Sequence, residues 1–184
     1  MIVSLPFPAT FDDLMKVEGK AELIGGRIVE FMATGIVPSR IAKRILRSLD
    51  DYGLRTMTGE AFGDNLGYAV DPPLLSGRQS FSPDASFLSI PFAVNSMSFA
   101  DGPPTFAVEV RSENDCGRSA ETAMADKRAD YFEAGTLAVW DVDPRAKTIT
   151  LHTSTTEVVF RPGDRAHAEP ALPGWTLDVS ALFG

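Results

Sequence analysis

The sequence is poor in the residues that build the commonest zinc and redox sites. Of its 184 residues, one is cysteine and two are histidine. The single thiol, Cys116, excludes an intramolecular disulfide and a cysteine-rich zinc site, and it fits a reducing cytoplasm. We interpret His152 as a strand residue and His167 as a loop residue, so neither predicts a site.

Long apolar runs are also absent. No stretch approaches the roughly 18 consecutive apolar residues that a membrane-spanning helix needs. The first residues lack a basic segment followed by a long apolar one, so no secretory signal is expected. With 44% hydrophobic and 23% charged residues, the composition is typical of a soluble globular protein. We therefore expect a cytoplasmic protein with no membrane partner and one domain over residues 1–184.

An excess of positive charge is missing as well. The formal net charge is −8, whereas a non-specific nucleic-acid binder usually presents a basic footprint. The balance argues against a polyanionic partner by default but does not exclude a local patch. One candidate patch has helical spacing: Arg40, Lys43, Arg44 and Arg47. Such a stripe can track a phosphate backbone; more often it is a solvated helix face or contacts an acidic partner subunit.

Three familiar catalytic signatures do not occur. The sequence has no Gly-x-Ser-x-Gly elbow, no phosphate-binding glycine-rich loop and no dinucleotide fingerprint. Serine hydrolase, P-loop NTPase and Rossmann interpretations are therefore disfavoured, and no organic cofactor is expected.

The patterns that are present predict a mixed α/β (α+β) domain. A Gly25-Gly26 step favours a two-residue hairpin turn. Apolar runs predict strands, and helical spacing of apolar residues predicts helices. The predicted elements are a helix beginning after Thr10, a hairpin over 21–31, a helix from Ser39 to about Tyr52 stopped by Gly53, strands over 67–70, 81–90, 105–110 and 137–142, a helix over 120–134 capped by Ser119, later strands over 148–152 and 155–160, and a closing helix or extended tail over 177–183.

Two carboxylates and a cation fall on neighbouring predicted elements. Pro83-Asp84 opens one strand, Glu109-Val110-Arg111 ends another, and Lys127 lies on the following helix. Because side chains alternate along a strand, Glu109 and Arg111 point to the same face. Two acids can bind Mg²⁺ or Mn²⁺, which stabilises the charge that develops during phosphodiester hydrolysis. Lys127 could then orient the attacking water, and Arg111 could support the phosphate.

A set of short motifs carries a family resemblance over nearly the whole chain. In order they are Glu22-Leu23-Ile24-Gly25-Gly26-Arg27, Pro83-Asp84, Val108 to Ser112, Lys127 with Tyr131, Gly135, Val139 to Pro144, and the ending Leu172 to Phe183. The chain resembles a family of mostly uncharacterised bacterial proteins assigned to the restriction-endonuclease-like PD-(D/E)xK nuclease superfamily. The resemblance implies a mixed sheet flanked by helices, a divalent metal at Asp84 and Glu109, and often a homodimer. It also implies that Glu22 is a third acidic group.

The chain departs from that family pattern at two positions. The superfamily lysine that comes two residues after the glutamate is Arg111 here, so Lys127 would have to replace it. A histidine often found near the start of the next helix is replaced by Ser39-Arg40. Two functions therefore stay open: a metal-dependent nuclease with DNA a more probable substrate than RNA, or a non-catalytic homodimeric scaffold or binding protein.

Each candidate residue also has a simpler structural interpretation. Asp84 after a proline can be an ordinary strand-entry residue. Glu109 inside an apolar strand can form a buried ion pair with Arg111 or Lys127. Glu22 can be an ordinary hairpin residue, and Lys127 can extend from an amphipathic helix to solvent.

Overall fold

The computed structural model describes residues 7–94, 96–113, 115 and 117–184, so Cys116 lies outside the described residues. Within them the chain forms helices α1 (Phe11–Leu14), α2 (Ile36–Thr56), α3 (Arg118–Ala134) and α4 (Val179–Phe183). The strands are β1 (Ala21–Ile24), β2 (Arg27–Glu30), β3 (Gly59–Gly63), β4 (Tyr68–Ala69), β5 (Ser80–Phe81), β6 (Ala85–Ser89), β7 (Ala100–Asp101), β8 (Phe106–Val110), β9 (Ala138–Asp143), β10 (Thr148–His152), β11 (Glu157–Phe160), β12 (Arg165–His167) and β13 (Thr176–Asp178). No helix in these ranges is both long and apolar enough to cross a membrane.

A six-stranded mixed sheet organises the fold, with strand order β11-β10-β9-β8-β6-β3. Strands β8 and β9 are parallel, and α3 connects them; the other neighbouring pairs are antiparallel. Three small sheets surround it: the β1–β2 hairpin, the β12–β13 pair and the β5-β4-β7 sheet. The predicted mixed sheet flanked by helices, with an N-terminal hairpin, is confirmed.

Alternation along β8 separates the two faces of the central sheet. Phe106, Val108 and Val110 pack on the α2 side, in the larger core cluster. Ala107 packs on the α3 side with Tyr131. Glu109 follows Ala107 by two positions and therefore points towards α3. The predicted central strand is thus confirmed, and it directs its one acid away from the larger core.

The hairpin forms at the predicted glycines. Gly25 and Gly26 both have positive φ, 55° and 70°, which a two-residue hairpin turn of this kind requires and glycine adopts without strain. The register pairs Ala21 with Glu30 and Ile24 with Arg27. Glu22 consequently points inward, and its side chain is fully buried.

The long helix α2 is longer than predicted at both ends. It begins at Ile36 rather than after Ser39, because Pro38 is tolerated in the first turn of a helix, where no intrahelical partner for its N–H is needed. It continues through Gly53 to Thr56. Gly53 is not a stop signal here: a Cβ at this position would lie 2.8 Å from the Gly59 carbonyl oxygen, so the residue permits close packing against β3.

Two other predicted boundaries were wrong, and a strand was missed. The single strand over 81–90 is two strands, β5 and β6, in different sheets. Pro83 lies between them and has no N–H to donate to a ladder. Helix α3 begins at Arg118 with Gly117 as its N-cap, so Ser119 is inside the helix. Strand β12 was not predicted.

The C-terminal segment folds back onto its own chain. Strand β13 leads into α4, whose Val179 and Leu182 are buried in the larger core cluster. Arg44 donates hydrogen bonds to the backbone carbonyls of Leu182 and Gly184, each at 2.7 Å. One member of the basic stripe therefore holds the C-terminus. The other three side chains, Arg40, Lys43 and Arg47, are exposed.

Candidate active site

An open cleft of about 1410 Å³ lies between α3, the end of β8 and the segment that joins β2 to α2. Asp84, Glu109, Arg111 and Lys127 all line it. Four of the five predicted site residues therefore share one cavity. The fifth, Glu22, lies behind them and contacts Lys127.

Asp84 and Glu109 come from neighbouring antiparallel strands. In the register of β6 and β8, Ala85 pairs with Val108, so Asp84 and Glu109 occupy the next position. The Asp84 amide donates to the Val108 carbonyl at 3.0 Å, and Asp84 Oδ2 accepts from the Val110 amide at 2.8 Å. Backbone pairing fixes the two acids side by side at the floor of the cleft.

Lys127 bridges two of the acids. Its Nζ lies 2.9 Å from Glu109 Oε1 and 3.0 Å from Glu22 Oε1. One helical turn further on, the Tyr131 hydroxyl donates to Glu109 Oε1 at 2.7 Å. The amine therefore reaches back over the end of β8, as the i, i+4 spacing of Lys127 and Tyr131 predicted.

Glu22 is held by a buried network behind the cleft. Arg78 donates to Glu22 Oε2 and, through Nε, to Asp130 Oδ2 at 2.7 Å. The Ser82 amide donates to Glu22 Oε1 at 2.9 Å. Arg78 and Asp130 are 6% and 5% exposed, so three buried charged groups satisfy one another.

The ionisation of the buried Glu22 differs from that of the half-buried Glu109. Burial alone would raise the pKa of Glu22, but Lys127, Arg78 and the Ser82 amide together hold this pKa below the ordinary value. Burial also raises the pKa of Glu109; Lys127 opposes the rise, whereas the Asp84 carboxylate adds to it, and the net pKa is raised. Although burial opposes its charge, the Lys127 pKa is raised by Glu109 and Glu22, so its amine stays protonated.

Lys20 is a second ammonium at the site, and it was not predicted. Its Nζ lies 2.8 Å from Asp84 Oδ1, and its side chain is 21% exposed. It belongs to the open end of the β1–β2 hairpin, where the Phe31 amide donates to the Lys20 carbonyl. The ammonium groups of Lys20 and Lys127 lie 5.9 Å and 5.6 Å from the centre of the Phe31 ring.

Arg111 shares the cleft with Glu109 but bonds elsewhere. It holds Asp141 with two hydrogen bonds, at 2.8 Å and 2.7 Å, and also bonds Glu121. Arg128 also donates a hydrogen bond to Asp141 Oδ2, at 3.2 Å. Of the two ion pairs that the sequence left open for Glu109, the one with Lys127 forms. Arg111 instead pairs with Asp141 on β9 and Glu121 on α3.

The donor set fits a hard divalent cation with two protein carboxylates. Asp84 and Glu109 are 24% and 20% exposed in their side chains, so solvent reaches both. Across the described ranges, no group of three or more His, Cys, Asp or Glu residues is arranged to hold an ion. A cation here would therefore take its remaining ligands from water or substrate, which Mg²⁺ does readily because it retains several waters.

Sequence reasoning missed Lys20, Arg78 and Asp130. Two of them could have been found from their sequence spacing. Lys20 lies two residues before Glu22, directly ahead of the predicted hairpin, and Asp130 lies three residues after Lys127 on the predicted helix. Both spacings place side chains on a shared face. Arg78 carried none, since it lies 56 residues from Glu22 in an irregular segment.

Comparison with known proteins agrees with this architecture. No curated protein matches the chain. A crystal structure described as a putative nuclease belonging to DUF820, from Anabaena variabilis, has a TM-score of 0.76 over 96% of this chain and 98% of that one. At 20% identity the likeness shows a shared fold. Residues 8–180 match a family model, Uma2, described as "Putative restriction endonuclease". The chain therefore belongs to the Uma2 family, and the resemblance seen in its motifs is confirmed.

Proposed function

We propose that this protein is a metal-dependent nuclease that hydrolyses phosphodiester bonds, with DNA preferred to RNA. One observation carries the proposal: Asp84 and Glu109 lie side by side at the floor of an open cleft, with the Lys127 amine 2.9 Å from Glu109. Membership of a family described as "Putative restriction endonuclease" supports the reaction class, and restriction endonucleases act on DNA.

Asp84 and Glu109 would hold Mg²⁺ or Mn²⁺. The bound cation would supply Lewis-acid stabilisation of the phosphoryl oxygens and a bound water of lowered pKa. The Asp84 carboxylate is oriented in advance by the Val110 amide, and the Glu109 carboxylate by the Tyr131 hydroxyl. Orientation of this kind reduces the reorganisation needed when substrate arrives.

Lys127 would orient the attacking water and balance charge on the phosphoryl group. Two carboxylates fix its amine, and its pKa is raised, so it acts as a positioned cation rather than as a base. Glu22 would act through Lys127, because the Arg78 and Ser82 contacts keep Glu22 ionised and immobile. This assigns Lys127 the place of the superfamily lysine, which is Arg111 in this chain.

Arg111 would support the phosphate from the far wall of the cleft. Its bonds to the buried Asp141 fix the guanidinium plane, whereas its other partner, Glu121, is 51% exposed in its side chain. Glu121 is the partner that a phosphate could displace, since an exposed carboxylate loses little by returning to water.

Thermal denaturation with and without Mn²⁺ tests the metal site. We expect Mn²⁺ at about one hundred times its dissociation constant to raise the Tm by about 5–10 °C, and Asp84→Ala to abolish the rise. Asp126→Ala is the matched control, because Asp126 is an exposed acid on α3 next to Lys127. If millimolar Mn²⁺ does not raise the Tm of the unsubstituted protein, that result argues strongly against the proposal. Nicking of supercoiled plasmid tests the activity itself.

The alternative is a non-catalytic homodimeric binding protein that retains the fold. The observation in its favour is that Asp84 and Glu109 are each already paired with a lysine. Val179 and Leu182 of the C-terminal segment pack into the larger core cluster of their own chain, so these two side chains are not available to a partner. A dimer thus stays a prediction, which sedimentation equilibrium checks.

A further inference from the structure

The contact between Lys20 and Asp84 occupies a carboxylate oxygen that a cation would need. Lys20 Nζ lies 2.8 Å from Asp84 Oδ1, and Asp84 Oδ2 accepts the Val110 amide. Both oxygens of Asp84 are therefore engaged. A divalent ion that binds Asp84 brings two positive charges beside the Lys20 ammonium, and the repulsion between them favours separation.

The two site lysines differ in how firmly they are held. Lys127 contacts two carboxylates and projects from the long helix α3. Lys20 contacts one carboxylate, precedes β1 at the open end of the hairpin, and has the more exposed side chain, 21% against 16%. When a cation enters, Lys20 is the ammonium that moves.

We propose that Lys20 is an internal counter-ion of the metal site, which a divalent cation displaces from Asp84 and which then contacts a phosphate of the nucleic acid. This inference rests on the proposed function, since it takes the cation and the substrate from there. Without metal, Lys20 neutralises Asp84 and limits its repulsion with Glu109. With metal, the same ammonium enters the cleft, where the only large anion the proposed reaction brings is the phosphate backbone.

The surroundings of Lys20 suit this second position. The Phe31 ring, 40% exposed, stands at the cleft with the Lys20 ammonium 5.9 Å from its centre. Lys20 and Phe31 both line the cavity that contains Asp84 and Glu109. A four-carbon side chain released from Asp84 can therefore remain over the ring and within the cleft, rather than leaving it.

Substitution of Lys20 should move metal affinity and nucleic-acid affinity in opposite directions. Lys20→Met keeps the apolar stem and removes the charge. We expect Lys20→Met to tighten Mn²⁺ binding by about two- to fivefold, because the cation no longer has to displace a part-exposed ion-pair partner of Asp84. It should weaken binding of a labelled DNA duplex in Mn²⁺, and lower the slope of log affinity against log salt by about 0.9, one phosphate contact.

Two variants complete the design. Lys20→Arg keeps the charge, so its Mn²⁺ affinity and its salt slope should stay near those of the unsubstituted protein. Lys16→Ala removes a lysine of the same N-terminal region that is 73% exposed and pairs with Asp13, away from the cleft, so it should change neither quantity. Mn²⁺ binding is measured by titration calorimetry and DNA binding by anisotropy, before cleavage is detectable.

The outcomes separate this inference from the proposed function. If Mn²⁺ stabilises the unsubstituted protein but Lys20→Met leaves its Mn²⁺ affinity or its DNA salt slope unchanged, the inference is overturned and the nuclease proposal stands. Mn²⁺ binding that appears only in Lys20→Met would mean that Lys20 blocks the site and is not displaced from it, which overturns the inference and counts against the nuclease proposal for the natural chain. Mn²⁺ binding by neither protein overturns both.

Discussion

Glu109 is an acid at a position where ionisation is costly unless a cation is close. Burial and the Asp84 carboxylate raise its pKa, although Lys127 opposes them. A raised pKa means that Glu109 takes up a proton at a higher pH than an ordinary glutamate does. A divalent cation binds the carboxylate and not the acid, so metal binding and proton release at Glu109 are linked.

Metal affinity should therefore depend on pH at this residue. As the pH falls towards the raised pKa of Glu109, we expect Mn²⁺ binding to weaken while an ordinary glutamate would still be ionised. Glu109→Gln should weaken Mn²⁺ binding by at least about tenfold at pH 7.5 and remove most of this pH dependence. Calorimetric titrations with Mn²⁺ at pH 5.5, 6.5 and 7.5 measure this affinity. If its pH dependence is the same in Glu109→Gln, another group releases the proton when the metal binds.

At single positions, the sequence predicted the acids better than it predicted their partners. Asp84 and Glu109 were recognisable because an acid beside or inside an apolar strand is unusual, and Lys127 followed from helical spacing. Arg78 was not recognisable. Its importance comes from tertiary contacts with Glu22 and Asp130, which lie on a hairpin and a helix distant in sequence.

Among the elements, the β1–β2 hairpin has the most direct role in the site. It brings Lys20 into contact with Asp84 and Glu22 into contact with Lys127 on α3. Its turn was predicted because Gly-Gly suits two positive φ angles. Its docking was not, since the hairpin is held by the Arg78 network and by the Gly25 amide, which donates to the Gly77 carbonyl at 2.8 Å.

Arg78→Met should loosen this docking. Removal of the guanidinium leaves Glu22 and Asp130 buried beside an apolar side chain, a change that costs about 3–5 kcal/mol in the free energy of unfolding. Urea denaturation at pH 7.5 measures the loss. Arg145→Met, at an exposed arginine, is the control and should cost well under 1 kcal/mol.

The direction of the Glu22 pKa shift predicts how the stability deficit of Arg78→Met changes with pH. The pKa of Glu22 is lowered in the folded protein, so its ion pairs stabilise the fold above the unfolded pKa and lose this contribution as the pH falls through the folded pKa. Without Arg78, one of the groups that oppose the effect of burial is lost, so the pKa of Glu22 is higher in the variant than in the unsubstituted protein. The deficit of Arg78→Met should therefore shrink between pH 7.5 and pH 5, whereas a deficit of equal size at both would indicate lost packing alone.

Helix boundaries were the least predictable feature at this scale. Ser39 and Ser119 are good N-cap residues, yet glycines cap α2 and α3 four and two residues earlier in the chain. A residue's preference for the N-cap position does not by itself fix where a helix begins. In contrast, the apolar faces of α2 and β8 were predictable, because periodicity reports burial directly.

At the scale of the whole molecule, net charge opposes the proposed substrate. The chain carries 17 basic and 25 acidic side chains, a balance of −8. The cleft itself is not basic either: among the described residues, eight acidic side chains line it against five basic ones. A nucleic acid that approaches this cleft without metal meets a region with a surplus of negative charge.

DNA binding should therefore require the divalent cation. In EDTA at 150 mM salt, we expect no measurable binding of a short labelled duplex, because a non-specific affinity of even about 10⁻⁴ M needs a phosphate-neutralising surface. Mn²⁺ should neutralise the carboxylates of Asp84 and Glu109 and offer a cation to the phosphate, which permits binding. Asp84→Ala should not respond, and Asp126→Ala should. A matched RNA duplex tests the substrate preference, and equal binding with and without metal would mean that the exposed basic stripe on α2, not the cleft, holds the nucleic acid.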